Sequence, residues 1–151
     1  MNVRGLVLNN KSRGCSNMTL LGFLGVHLSL ASLLLRLAIG VDFVVEGYSK
    51  TGAGRKENEK WLKGLGVDAH FVLFAVVVEL LGGIGLILGL LTPIVALLAA
   101  LWMVSTMWLR VAKGKEKFVG GYELDVVVLL AALALAVIGG GAFSLDHLLG
   151  I

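Results

Sequence analysis

The chain is poor in cysteine, proline and charge. It has one cysteine, Cys15, one proline, and only 15% charged residues among its 151. A single cysteine cannot form an intramolecular disulfide, and it excludes both a CxxC zinc site and an internal dithiol relay. Soluble globular domains carry roughly a quarter charged residues. The shortage of charge therefore argues against a soluble domain, and the single cysteine excludes a secreted disulfide framework.

The chain is rich in long apolar runs. Hydrophobic residues make up 58% of the chain, and the mean hydropathy is +0.93. A helix needs about 20 apolar residues to cross a hydrocarbon core of about 30 Å. Four runs meet that length, at about residues 20–45, 69–91, 93–112 and 122–139. They lack the two-residue alternation of membrane strands, so helices are expected.

The predicted fold is an all-α integral membrane protein, an antiparallel four-helix bundle. A polar N-terminal segment, residues 1–17, precedes a single four-span domain at residues 18–151. Thr92 and Pro93 form an expected N-cap and first helical position, which predicts a tight turn between the second and third spans. The segment 56–65, with Trp61 among charged residues, predicts a short helix in the membrane interface within the first loop.

Basic residues concentrate on one face of the predicted bundle. Both loops, residues 46–68 and 113–121, share this face, whereas both termini share the other. The positive-inside rule then predicts a multi-pass protein of the cell membrane with cytoplasmic loops and both termini outside. The net charge of +3 is too small to indicate a nucleic-acid partner, so membrane lipid is the expected surrounding.

Two charged residues lie deep within the predicted spans. Arg36 lies ten residues before Glu46, and Glu79 lies ten residues after Ala69. At 1.5 Å per residue each is about 15 Å from the loop face, where an ionisable group costs roughly 2.5 to 3.5 kcal/mol. We therefore expect Arg36 and Glu79 to form a buried ion pair. Such a pair either takes part in the chemistry of a site or only fixes the register of the two helices.

Further polar residues predict a pocket that opens toward the loop face. Glycines follow Glu79 at positions 82, 83, 85 and 89, and small residues allow close helix packing, so Glu79 is expected to face the bundle. The mouth of the pocket is expected at Asp42, Glu46, Lys50, Tyr122 and Glu123. A ligand with a polar head and an apolar tail, such as a quinone, suits a pocket of this kind.

Other features of the spans have simpler interpretations. The acidic residues at the start of the last span also fit the helix dipole. Trp102 and Trp108 are interpreted as lipid-facing or packing residues. His27 has no second histidine at helical spacing, so neither a metal site nor a haem site is expected.

Five short motifs occur in order along the chain. They are Leu34–Gly40, which contains Arg36, then Gly47–Lys50, Glu79–Gly83, Gly89–Thr92 and Gly120–Glu123. Their order and spacing resemble the DoxX family of small four-helix membrane proteins, a group related to the DoxD subunit of thiosulfate:quinone oxidoreductase. The resemblance covers about residues 30–149.

The resemblance implies a membrane redox partner. Relatives oxidise thiosulfate to tetrathionate and pass electrons to quinone, and other members are linked to membrane oxidoreductase complexes that handle thiol stress. By motif, the implied site consists of Arg36, Gly47, Lys50, Glu79, Tyr122 and Glu123. Many members have a histidine where this chain has Glu46, which bears on how protons or anions are handled at the mouth. The expected orientation also opens the pocket to the cytoplasm, whereas thiosulfate oxidation is expected outside.

Three functions follow from these features. The first is a quinone-linked oxidoreductase subunit in which Glu79 or Glu123 exchanges protons, while Arg36 and Lys50, with Glu46, Tyr122 and Asp42, hold the quinone or a small anion. The second is a non-enzymatic accessory or assembly subunit of a larger membrane (respiratory) complex. Either subunit is expected to contact other membrane proteins or further copies of itself. A transporter is disfavoured because the four spans show no inverted repeat.

Overall fold

The computed structural model describes the backbone of residues 3–68 and 70–150, and the side chains of residues 25–52, 54–68 and 70–150. These residues form helices and connecting turns, without a β-strand. The helices are α1 (Val3–Ser49), α2 (Gly52–Gly64), α3 (Phe71–Leu88), α4 (Thr92–Ala112), α5 (Glu123–Ile138) and α6 (Leu145–Leu149). A short irregular helical turn, Phe118–Tyr122, kinks at Val119 and Gly120 just before α5.

Within the described part of the chain, four segments are long and apolar enough to cross a membrane, and their bounds are Gly25–Ser49, Phe71–Leu88, Thr92–Ala112 and Phe118–Ile138. Most of their large apolar side chains point outward, as lipid-facing helices require. The prediction of an all-α four-span membrane bundle is therefore confirmed. The short helix expected in the first loop is present as α2, where Leu62 is buried and Trp61 is exposed.

The N-terminal polar segment predicted for residues 1–17 falls largely on the first part of α1, which begins at Val3. The side chains of residues 1–24 lie outside the described residues. The division into this segment and a four-span domain at residues 18–151 therefore stays a prediction.

The four long helices close into a ring. Helix α1 packs along α3, α4 packs along α5, and smaller contacts join α1 to α5 and α3 to α4. We call the side with α2 and the 113–117 segment the loop end, and the side with α6 and the α3–α4 turn the terminal end. The buried core at the centre includes Ile39, Phe43, Leu86, Ala132 and Leu135.

Two glycines bring α1 and α3 into backbone contact. A Cβ on Gly83 would lie 2.7 Å from the carbonyl oxygen of Gly40, and a Cβ on Gly40 would lie 2.8 Å from that of Gly83. Small residues at such a crossing allow the close approach that stabilises helices in lipid. The glycine-rich side of α3 therefore faces protein, as predicted, and its partner is α1 of the same chain.

The turn between α3 and α4 is tight, as predicted, but Thr92 does not cap α4. Gly89 ends α3 with φ of 71°, and Leu91 precedes α4 with φ of 48°. The Thr92 hydroxyl is buried without a hydrogen-bond partner among the described residues. Instead, the carboxylate of Asp146 accepts hydrogen bonds from the backbone N–H groups of Leu91 (2.5 Å) and Thr92 (2.7 Å). A cap from 54 positions away replaces the local one.

The segment after α5 folds back beneath the terminal end. Ser32 donates a hydrogen bond to the carbonyl of Gly139 (2.5 Å), and Arg36 donates one to the carbonyl of Phe143 (2.6 Å). The backbone N–H of Asp146 bonds to the carbonyl of Gly89 at 3.0 Å. These bonds attach α6 and its preceding loop to both α1 and the α3–α4 turn.

Candidate functional site

Glu79 lies inside the bundle midway along α3, with 2% of its surface exposed. Helix α3 presents it toward α1, where its Cβ faces Gly47. One carboxylate oxygen, Oε1, has two donors, whereas the buried Oε2 has no hydrogen-bond partner among the described residues. A carboxylate held in low dielectric and only half paired is a group that chemistry or a ligand can use.

Lys50 is the first donor to Glu79. Its Nζ lies 2.5 Å from Glu79 Oε1 and 3.1 Å from Glu46 Oε2. Lys50 follows the last residue of α1, so its long side chain reaches back into the bundle while its backbone stays at the loop end. The lysine therefore joins a buried carboxylate to a half-exposed one.

Trp102 is the second donor, because its indole Nε1–H bonds to Glu79 Oε1 at 3.1 Å. The residue is buried, with 8% of its surface exposed. Its ring stacks on Phe71 with centroids 5.8 Å apart, and meets Phe74 edge-on at 5.7 Å. Of the two interpretations of Trp102, packing is therefore confirmed and the lipid-facing one is wrong. Its bond to the central carboxylate is an additional contact that the sequence did not indicate.

Two spaces adjoin Trp102. The first, which we call the Glu79 cavity, measures about 80 Å³, and both Glu79 and Lys50 line it. The second, which we call the aromatic groove, is an open space of about 520 Å³ along α4 that includes Val104, Trp108 and Lys113. The two spaces share the walls Phe71, Trp102, Thr106 and Leu109. Trp102 and its neighbours thus lie between an apolar groove along α4 and the cavity that Glu79 lines.

A third space of about 20 Å³ lies on the other side of Glu79, and we call it the carboxylate cavity. Its charged lining residues are Asp42, Glu46, Lys50, Glu79, Arg110 and Asp125. Arg110 Nε lies 3.2 Å from Asp125 Oδ2, and Arg110 Nη1 lies 3.6 Å from Glu116 Oε2. Four helices therefore bring charged groups together around Glu79.

The predicted ion pair between Arg36 and Glu79 is wrong. Gly47 faces Glu79 across the α1–α3 contact, whereas Arg36 lies against Gly89, where a Cβ would collide with its guanidinium. Arg36 and Gly47 are eleven positions apart on α1, about 16 Å at 1.5 Å per residue. The prediction treated Glu46 and Ala69 as level, but the antiparallel register places Gly47, the residue after Glu46, beside Glu79 and Leu80.

Arg36 instead belongs to the terminal end. It is completely buried and bonds to the carbonyl of Phe143, while its Nε and Nη1 have no hydrogen-bond partner among the described residues. Its positive charge stabilises the ionised form of the Asp146 carboxyl. Burial alone would raise the pKa of the Asp146 carboxyl, but hydrogen bonds from Thr92 and Leu91, helped by the Arg36 charge, hold that pKa below its usual range.

The other expected mouth residues divide into two groups. Asp42, Glu46 and Lys50 converge on the carboxylate cavity. Glu123 is exposed and lines none of the three spaces. Tyr122 also lies away from them, with its ring against Phe118 at 5.3 Å. Roles for these residues in binding or catalysis stay predictions.

Sequence reasoning missed Trp102 as a site residue and gave Asp125 and Arg110 no specific role. A signal for Trp102 was present, because Glu79 lies ten residues before Gly89 and Trp102 lies ten residues after Thr92. Two residues equally far from one tight turn lie at the same depth on antiparallel helices. Arg110 lies two residues before the predicted end of the third span at residue 112, and Asp125 lies three residues after the predicted start of the fourth at residue 122. The same counting therefore places these two residues at nearly the same depth.

Comparison with known proteins gives the family of this fold and site. The DoxX family model matches residues 31–112, a stretch that contains Arg36, Lys50, Glu79 and Trp102. The chain belongs to the DoxX family. It is 32% identical over 117 residues to "Putative oxidoreductase CatD" of Bacillus subtilis (strain 168), covering 78% of this chain and 85% of that protein.

A second relative is "Inner membrane protein YqjF" of Escherichia coli (strain K12), which is 26% identical over 120 residues, 78% of this chain and 90% of that protein. No solved structure matches the chain. The family and the four spans together identify a multi-pass membrane protein, with a DoxX relative whose name assigns it to oxidoreductases.

Proposed function

We propose that this DoxX protein is a quinone-binding subunit of a membrane redox system of the thiosulfate:quinone type. The observation that carries the proposal is the half-paired Glu79 carboxylate, which is bonded to Trp102, a residue that also lines the aromatic groove. A quinone dissolves in lipid, carries two carbonyl oxygens on a flat ring, and needs protons when it is reduced. The site offers an apolar wall, an indole, an ammonium group and a carboxylate in one place.

The size of the site favours a ring with an apolar tail. Pockets for small molecules measure about 300 to 1,000 Å³, so the aromatic groove is large enough and the Glu79 cavity alone is not. We assign the ring to the shared wall of Phe71 and Trp102, with one carbonyl toward Lys50 and Glu79, and the tail to the open part of the groove along α4. Aromatic walls suit a flat ring through stacking.

The reaction balances with a sulfur anion as electron donor. Two thiosulfate ions give up one electron each and form the sulfur–sulfur bond of tetrathionate. The quinone takes up these two electrons and two protons and becomes the quinol. In this assignment Lys50 stabilises charge that develops on a quinone oxygen, and Glu79 transfers a proton to that oxygen. Arg36 lies at the opposite end of the bundle and does not share this ligand.

The test measures quinone binding and quinone reduction separately. The full chain in lipid nanodiscs is titrated with a short-tailed ubiquinone or menaquinone analogue, and quenching of tryptophan fluorescence reports binding. Thiosulfate is then added, and quinol formation is followed by absorbance. We expect Trp102→Phe to reduce the quenching and Glu79→Gln to abolish reduction, whereas Glu57→Gln, at an exposed carboxylate of α2, behaves as wild type in both assays. Neither binding nor turnover in the wild-type chain, alone or with a co-purifying partner, would reject the proposal.

A second candidate is a non-enzymatic accessory subunit. The observation that favours it is the mutual pairing of Lys50 with Glu46 and Glu79, because an ion cluster of this kind can serve the register of the helices alone. This candidate predicts that Glu79→Gln weakens folding but leaves the chemistry of any partner complex unchanged. The quinone-binding proposal predicts instead that Glu79→Gln abolishes quinone reduction.

A further inference from the structure

The carboxylate cavity has the size and lining of a water site. Its volume of about 20 Å³ exceeds the 10 to 15 Å³ or so that one water needs. Such a water also requires two to four polar partners. Charged groups face this space from four helices: Asp42, Glu46 and Lys50 on α1, Glu79 on α3, Arg110 on α4, and Asp125 on α5.

Among the described residues, two buried carboxylate oxygens of residues that line this cavity have no hydrogen-bond donor. Glu79 Oε2 and Asp125 Oδ2 have no hydrogen-bond partner among the described residues, and both residues line this cavity. Arg110 Nε lies 3.2 Å from Asp125 Oδ2, but outside the alignment that a hydrogen bond requires. One water between the two carboxylates can donate a hydrogen bond to each and so satisfy both oxygens.

The outer side of the cavity reaches solvent. The side chain of Glu46 is 45% exposed, and that of Arg110 is 31% exposed. Asp42 is half-buried and lies one helical turn before Glu46. The groups therefore run from the surface of the loop end to Glu79, whose own surface is 2% exposed.

We propose that a water in the carboxylate cavity links Asp125 to Glu79, and that this link carries protons from the loop end to the site. The proton route rests on the proposed quinone reduction, which consumes two protons for each quinol formed. Glu79 gives its proton to a quinone oxygen, and Asp125 returns a proton to Glu79 through the water. Asp125 is then reprotonated from solvent past Glu46 and Asp42. Only O–H bonds break and form in these steps.

The first experiment tests water access without any ligand. The full chain is labelled with [15N]tryptophan in detergent micelles, and exchange of the Trp102 indole N–H with D2O is followed by NMR. The variant Asp125→Leu removes the carboxylate and fills the cavity. We expect it to slow this exchange by about tenfold, whereas Glu57→Gln, a change at an exposed carboxylate of α2, leaves it as in wild type.

Unchanged exchange in Asp125→Leu would show that water reaches Glu79 by another side and would overturn the inference. If Asp125→Leu does not fold, Asp42→Leu fills the same cavity from α1 and is judged by the same criterion. Trp61 and Trp108 are exposed, and their indole signals provide internal references for intact protein.

The second experiment tests the relay during turnover. Asp125→Asn keeps the size of the side chain and can still bind water, but it cannot pass on a proton. We expect quinone reduction to fall by about 100-fold with the KM for quinone unchanged, and the solvent isotope effect to rise. Turnover equal to that of wild type would overturn the relay. A wild-type chain that reduces no quinone would instead reject the proposed function, and the exchange experiment would still decide whether the water link exists.

Discussion

Trp102 donates a hydrogen bond to Glu79 across the bundle, with 3.1 Å between Nε1 and Oε1. The two residues lie 23 positions apart, on helices that meet at the Gly89–Thr92 turn. The indole fixes the carboxylate from α4 while Lys50 fixes it from α1. One carboxylate oxygen therefore joins three helices, and its contacts can be tested one at a time.

Loss of the indole donor should lower the free energy of unfolding by a measurable amount. Trp102→Phe keeps an aromatic ring beside Phe71 but removes the bond to a buried charge, which costs about 2 kcal/mol. The free energy of unfolding is measured by titration with sodium dodecyl sulfate in mixed micelles. The matched control is Trp108→Phe, at a residue 62% exposed, which should change stability little. Equal effects of the two variants would contradict the assigned bond.

Removal of the lysine should leave a buried charge without its cation. Lys50→Met keeps the length of the side chain, but isolates Glu79, and breaking a buried pair in this way costs about 3 kcal/mol or more. The double variant Lys50→Met/Glu79→Gln should recover most of that loss, because it also removes the stranded charge. The same detergent titration of all four members of the cycle gives the coupling energy.

A surface pair on α2 provides the control for the lysine variant. Arg55 Nε lies 2.6 Å from Glu59 Oε1, with both side chains partly exposed. Exposed ion pairs are worth about 1 kcal/mol or less, so Arg55→Met should have a small effect. A loss in Lys50→Met no larger than in Arg55→Met would show that the Lys50–Glu79 contact contributes little in the membrane.

The Asp146 cap should make the terminal end sensitive to acid. Because the folded-state pKa of Asp146 lies below its usual range, the unfolded chain binds this proton more tightly. The stabilisation is therefore present above the unfolded pKa of about 4 and is lost as pH falls through the folded pKa. Unfolding midpoints measured between pH 6 and pH 2 should drop at the acid end.

Asp146→Asn tests the origin of that acid dependence. The variant should be less stable at pH 6 by about 1 kcal/mol, as loss of a helix cap predicts. It should also show a smaller acid-induced change than wild type. An identical pH profile in the two proteins would mean that other carboxylates cause the acid loss.

The glycine contact between α1 and α3 should not tolerate a methyl group. Gly83→Ala places a Cβ 2.7 Å from the backbone carbonyl of Gly40, so the helices must separate, at a cost of about 1 to 3 kcal/mol. Gly82→Ala is the control, because its Cβ would lie 3.6 Å from Phe43 in ordinary contact. The control should be neutral or more stable, since alanine favours helix. Similar losses in both would contradict the close crossing.

The features that depend only on the hydropathy pattern along a single helix were predicted correctly from the sequence. The number of spans follows from the apolar runs, and the inward side of α3 follows from the glycines after Glu79. The prediction failed where it needed the relative height of two helices. The pairing of Arg36 with Glu79 assumed that α1 and α3 end at the same level, but their register is set by the Gly40–Gly83 crossing.

Contacts between segments far apart in the sequence could not be predicted either. No local pattern indicates that Asp146 caps a helix that begins at Thr92, so Thr92 itself was expected to be the cap. Trp102 is different, because its distance from the Gly89–Thr92 turn already placed it level with Glu79. Depth counted from a tight turn is thus a better guide than depth counted from loops of uncertain length.

The apolar layer between Arg36 and Glu79 has an electrical consequence. Ile39, Phe43 and Leu86 fill the centre of the bundle with almost no exposed surface, and about 16 Å of α1 separates the two charged regions. Hydrated ions do not cross a packed hydrocarbon layer of this kind. Among the described residues, the centre of the bundle thus offers hydrated ions no path from one charged region to the other.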